Sequence, residues 1–285
     1  MLNLFLIVAG VTAGGLLGAA GLIHLLGVLK LRAITGWFCR APGLDLWIAY
    51  FTVLPMVGGP VVMITRYGGE AEVSPWLLGP AGLVAAVIGQ IVTVLVWSRA
   101  HEMANAHHIN GPRLVSSINR NVGPVRNHLA VWWTAWAVPL FALVRVAELF
   151  VYPPLTWLIR LPKYKTGDWV NVSRHKFEGL VGHDLIWCLY CDWMTGVWSL
   201  GTEMLRNVES FWCPIRFRSD KKCENCTIDF PDLDNGWAPS DGTMADAVAS
   251  LEKHYPGPNG DNQWFGHAAR LTVDGQEPQG SSSTR

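Results

Sequence analysis

Five of the six cysteines fall between residues 188 and 226, and their spacing is the feature of this chain best suited to chemistry. Cys188 and Cys191 form one C-x-x-C, Cys223 and Cys226 form another, and Cys213 stands ten residues before the second pair. Two thiolates separated by two residues can approach one ion, so pairs of this kind supply ligands for tetrahedral zinc or for iron. The second pair, in Lys-Lys-Cys-Glu-Asn-Cys-Thr, has the form of a metal knuckle. The first, in Trp-Cys-Leu-Tyr-Cys-Asp-Trp, sits within a stretch of helical periodicity, and the 31 residues between the pairs are more than a compact zinc ribbon uses. Three arrangements are open to these thiols. One is a metal site built from Cys213, Cys223 and Cys226 with one or both of Cys188 and Cys191. Another is one or two disulfides, which need an oxidising compartment. The third leaves them as small, unlinked core residues. The metal site is the expectation favoured here. A thioredoxin-like redox role lacks the βαβ pattern that would surround it. Cys39 stands alone and reads as incidental.

Histidines form the second group. His101, His107 and His108 follow one another in Arg-Ala-His-Glu-Met-Ala-Asn-Ala-His-His, and His128 opens a later apolar stretch. If the helix continued through this run, His101 and His108 would share a face two turns apart. His175 and His183 can join them if the C-terminal region lies on the same side of the membrane. Imidazoles gathered in this way bind zinc, iron, copper or haem. That set would make a metalloenzyme acting on a lipid-soluble substrate. Against it stands a plainer reading, in which these are interfacial polar residues at the headgroups. His24, inside the first apolar stretch, reads as a packing residue before a haem ligand.

The elements that must position these groups are membrane spans. Half of the 285 residues are hydrophobic and only 15% are charged, against roughly 25% in an average soluble protein. The 15 Trp residues suit a chain with interfacial aromatic belts. With zero net charge, nothing points to a nucleic-acid partner. Crossing the hydrocarbon core takes roughly 20 apolar residues, and four stretches qualify, at about 2–29, 46–64, 76–97 and 128–152. The first has no Lys or Arg before Lys30 and is too long for a signal peptide, so it reads as a retained span. Its Gly10, Gly14 and Gly18 form a small-residue face for packing within the chain, with other membrane subunits or with a second copy. Pro55, Gly58, Gly59 and Pro60 interrupt the second, so a kink or local unwinding is expected. A small transporter or channel built on that break is the third functional reading. Trp76 and Trp97 bracket the third span. In the fourth, Arg145 and Glu148 are spaced to pair on one helix face.

The chain is therefore expected to be mainly α. Residues 1–161 form a polytopic transmembrane domain with about four spans. Residues 162–255 form a cysteine-containing, membrane-surface domain, and 256–285 a disordered tail rich in Gly, Pro and Ser. Within the surface domain, a helix of about 177–210 should lie on the membrane or pack on the spans. A capping box should start a second helix at Thr243 and Asp246.

The first and third loops carry more Lys and Arg than the second, which places them in the cytoplasm and the N-terminus outside, in a plasma or inner membrane. Four crossings would then put the C-terminal region outside. Its own Arg160, Lys163, Lys165, Arg174 and Lys176 favour the cytoplasm. A re-entrant segment over 128–161 would reconcile the two. No Walker, G-x-G-x-x-G, G-x-S-x-G or H-E-x-x-H motif occurs, so hydrolase and nucleotide-driven readings have no positive support. The resulting expectation is a membrane protein with a cysteine-ligated zinc or iron, structural or redox-accessory to a membrane complex.

Overall fold

The computed structural model describes residues 1–67, 74–109, 111–213, 215–217, 236–255, 257 and 263–265. It is 80% helical. Among the described residues there is no strand, only isolated bridges at Arg40–Asn171 and Phe217–Ala238. Among the described residues, four helical stretches are long and apolar enough to cross a bilayer: Leu2–Val28, Gly43–Arg66, Trp76–Ala104 and Pro124–Leu158.

The first three stretches are built from α1 (Leu2–Val28), α3 (Gly43–Ile48), α4 (Leu54–Tyr67) and α5 (Pro75–Ala104), with the short α2 (Arg32–Phe38) in the first loop. α1, α4 and α5 pack together. In lipid, helices approach closely only where side chains are small. Gly59 and Gly82 put the backbones of α4 and α5 in direct contact, leaving no room for a Cβ on either. A Cβ on Gly89 would lie 2.6 Å from the Ala9 carbonyl oxygen and 2.7 Å from Thr12 Cβ. The glycines that pack the bundle are thus not the expected Gly10, Gly14 and Gly18, where a Cβ would meet nothing within 4 Å.

The second stretch does not unwind at its prolines. A π-helical turn at Ala49–Val53 joins α3 to α4 and keeps the chain helical throughout. Pro55 has no N–H, so the carbonyl of Phe51, four residues earlier, loses its helical donor. Gln90 of α5 replaces it, its side-chain amide donating to Phe51 O at 2.8 Å and Thr52 O at 3.0 Å. In a bilayer, where water cannot satisfy a free carbonyl, one side chain repairs the defect.

After α5 come a 3₁₀ turn at Ala106–His108, α6 (Leu114–Val122), α7 (Pro124–Thr134), a 3₁₀ turn at Ala135–Ala137, α8 (Val138–Phe150) and α9 (Tyr152–Leu158). The third stretch is longer than expected, and the fourth is built from several helical segments. The short α10 (Thr166–Trp169) follows. The long helix expected at about 177–210 is α11 (Gly182–Trp212). α12 (Met244–His254) starts at the expected capping box, with the Thr243 N–H donating to Asp246 Oδ2 at 2.6 Å.

The chain divides into two compact units, 1–142 with 170–196 and 143–169 with 197–285. The core of the second is polar as well as apolar. Arg145 bonds Glu148 at 2.6 Å, the pair anticipated from their spacing. Within the segment expected to be disordered, Gln263–Phe265 forms a 3₁₀ turn with Trp264 and Phe265 buried.

Candidate functional site

In the first unit, the C-terminal end of α5 meets the start of α11. Asn105 ends α5 by turning its side-chain amide back onto the His101 carbonyl, 2.9 Å away. His108 is therefore carried off on the 3₁₀ turn and does not share a helix face with His101. Glu102 accepts from Arg113 Nη2 at 2.7 Å, and Arg113 Nε lies 3.7 Å from Asp184 Oδ2. One cation is thereby held between two carboxylates, which keeps the Arg113 guanidinium pKa above its ordinary value. Gly182, in the left-handed region at φ +57°, sits against the Glu102 side chain, where a Cβ would collide. Its N–H donates to His101 Nδ1 at 3.2 Å, and the His183 N–H reaches Glu102 Oε1 at 3.4 Å.

The imidazoles in this cluster are already engaged. A neutral imidazole has one acceptor nitrogen. In His101 it takes the Gly182 amide; in His183 it is Nε2, which takes the Trp187 indole N–H at 2.9 Å. His183 Nδ1 is buried without a hydrogen-bond partner and lies 3.8 Å from Asp184 Oδ1. The His128 ring approaches His183 edge-on at 5.7 Å, and His101 stacks on Trp97 at 4.6 Å. His107 and His108 pack on each other at 4.0 Å, with His108 Nδ1 3.9 Å from Glu178. His175 lies elsewhere, beside Cys39. The six candidate histidines thus fall in three places, and among the described residues no three His, Cys, Asp or Glu side chains converge to hold an ion. His24 lies near the loop end of α1 and interacts electrostatically with His101.

Cys39, Cys188, Cys191 and Cys213 are free thiols. Cys188 and Cys191 lie one turn apart in α11. Cys188 is half-buried and hydrogen-bonded to Arg174; burial raises its thiol pKa and Arg174 opposes the rise. Cys191 is exposed. Cys213, also exposed, directly follows α11 and donates its N–H to Glu209 O at 2.7 Å. Cys223 and Cys226 lie outside the described residues. Cys39, read as incidental, sits with its sulfur 3.8 Å from His175 Nε2. The two are 136 residues apart, so no spacing rule could have joined them. Backbone bonds hold the pair in place: Ala41 N–H to Val170 O and Val172 N–H to Cys39 O, both at 2.9 Å. The adjoining turn is tied to α11, because Asp192 accepts the backbone N–H groups of Ser173 and Arg174 at 2.9 and 3.0 Å and the Arg174 side chain at 2.8 Å.

The second unit holds a polar network that sequence reasoning passed over. Asn207 donates to the phenols of Tyr152 and Tyr164 at 2.9 and 2.6 Å, and Tyr152 donates to Pro162 O at 2.9 Å. Burial pushes the Tyr164 phenol pKa well up. Arg216 stacks over Trp264 at 4.2 Å and donates to its carbonyl at 2.7 Å, and burial lowers its pKa to about 10. The Trp264 indole donates to Ser210 O at 3.2 Å. Polar residues at Glu203, Asn207 and Ser210, three and four apart, were the available signal.

No family model, curated protein or solved structure matches the chain.

Proposed function

We propose that this chain is an integral membrane subunit that holds a cysteine-ligated zinc or iron beside the membrane, with Cys213, Cys223 and Cys226 as the core ligands. Its role is structural or redox-accessory within a membrane complex. The observation that carries this reading is the state and setting of Cys213. It is a free, exposed thiol at the end of a helix whose last turns are anchored by the Asn207 and Ser210 bonds. It therefore opens the segment bearing Cys223 and Cys226 from a fixed point. Three thiolates are a soft donor set of the kind zinc and iron take. Cys188 and Cys191 belong to an early part of a 31-residue helix, about 46 Å long. They make a second thiol pair, one helical turn apart, of which one or both are the further candidate ligands.

The histidine metalloenzyme reading is weaker, because His101 and His183 would have to give up the Gly182 amide and the Trp187 indole to bind a metal. The transporter reading has less behind it, since the second stretch stays helical through its π turn. In this proposal the C-terminal region shares the side of loops one and three, in a plasma or inner membrane with the N-terminus outside. The open Gly10, Gly14 and Gly18 face is available to another subunit or a second copy.

The test is metal analysis of the full-length protein in detergent, comparing the parent with Cys213→Ser and with Cys223→Ser/Cys226→Ser. Loss of about one equivalent of zinc or iron in both variants is expected. Full retention in the double variant would rule the site out.

A further inference from the structure

We infer that residues 124–142 lie in the plane of the membrane surface with one apolar face in the lipid interface, so that the chain crosses the bilayer three times. Packing within the first unit carries this placement, independently of any metal.

Residues of α1 and α5 meet in ascending order along both helices. Gly89 lies against Ala9 and Thr12, Thr93 approaches the Ala13 carbonyl at 3.5 Å, and His101 interacts with His24. The two helices are therefore parallel, and loops one and three leave the bundle at the same end.

Residues 170–192 touch both loops. At loop one, Val170 and Val172 bond Ala41 and Cys39. At loop three, Gly182 bonds His101 and Asp184 faces Arg113. Asp192, about 12 Å farther along α11 than Asp184, holds the turn that continues from the loop-one contact. The first turns of α11 thus run across the end of the bundle, from loop three toward loop one.

α7 and the start of α8 follow the same direction. His128 meets His183, Trp132 meets Trp187 and Phe141 meets Trp193, at 5.7, 5.4 and 6.3 Å between ring centroids. Residue numbers rise together on both partners, so this stretch is parallel to α11 and also lies across the bundle end. Its other side presents Leu129, Trp133, Trp136 and Leu140, spaced four, three and four apart and 64–76% exposed. One side is occupied by aromatic and imidazole contacts and the other is a continuous apolar stripe, the pattern of an interfacial helix. The stripe belongs to a stretch, Pro124–Leu158, that is apolar enough to enter a bilayer and follows three others that are, so the same bilayer is its occupant. Three crossings also place Arg174 and Lys176 on the side of the basic first and third loops, as the positive-inside rule asks. A fourth crossing would separate residues 170–184 from the loops they bond.

The test uses full-length protein in sealed vesicles of phosphatidylcholine with phosphatidylglycerol. A nitroxide-bearing non-natural amino acid replaces Leu129, Trp133, Trp136 or Leu140, one at a time, and its depth is read from oxygen against nickel-chelate accessibility. We expect four similar depths, about 5–10 Å below the headgroups. A depth that climbs by about 1.5 Å per residue, roughly 16 Å from residue 129 to residue 140, would establish a crossing and overturn the inference. So would labels shielded from both reagents, which would mean a protein partner on the stripe. Epitope tags at residues 1 and 285 need no substitution. They should be reached from opposite sides, and detection on one side would equally overturn it.

Discussion

The three-helix bundle and the layer across its loop end belong to one compact unit, yet opposite means hold them together. In the bundle, backbone meets backbone. Gly59 and Gly82 touch, Gly89 sits on Ala9 and Thr12, and Gln90 covers the carbonyls that the π turn and Pro55 leave open. In the surface layer, Arg113 lies between Glu102 and Asp184, Asp192 gathers the Arg174 turn, and paired indoles and paired imidazoles meet edge to face. The difference follows from the solvent. Lipid gives helices no hydrophobic reason to associate, so close van der Waals contact and internal hydrogen bonding must do it. At the surface, charge pairs and amphipathic aromatic rings can face water and headgroups together.

That contrast can be broken most severely at Gly82. Gly82→Val puts a branched side chain where even a Cβ collides with the Gly59 backbone. We expect destabilisation of about 3 kcal/mol, read as a large fall in thermal unfolding temperature in detergent. Tolerance of valine there would mean that the α4–α5 contact is not close. The next effect is expected for Gln90→Leu, which keeps the volume but removes the donor to Phe51 O and Thr52 O. Its cost should be about 2 kcal/mol, measured in the same way and unchanged by salt. A neutral result would show that another donor serves the Pro55 defect.

The smallest effect is expected in the surface layer. Glu102→Ala leaves Arg113 with Asp184 and removes the acceptor for the His183 amide, for about 1 kcal/mol, since the Arg113 side chain is 23% exposed. Unlike the two bundle variants, its deficit should shrink when the comparison is made at high salt, because screening already weakens the pair in the parent. A salt-independent deficit would place Glu102 in the same class as the bundle contacts.

Much of the fold was legible from the residues alone, and the reason is locality. Runs of apolar residues mark spans whatever they pack against, and the capping box at Thr243 and the Arg145–Glu148 pair act over three residues. The candidate sites were less legible. Cysteine spacing named a ligand set, but a thiol's partner need not be near it in the chain, as Cys39 and His175 show. Histidine spacing suggested a face shared by His101 and His108 that Asn105 prevents by ending the helix between them.

The amino-acid sequence by itself determined that the chain enters a membrane, roughly where, and that its thiols gather toward the C-terminal side, because hydrophobic length and residue type are properties of single segments. Only the tertiary structure decided which glycines bring helices together, which proline defect Gln90 repairs and which histidines have their lone pairs already taken. It also decided that residues 170–184 fasten to loops one and three. Each of these depends on two segments distant in sequence presenting complementary groups at one place, and many pairings of the same residues satisfy the local rules equally well until packing selects one.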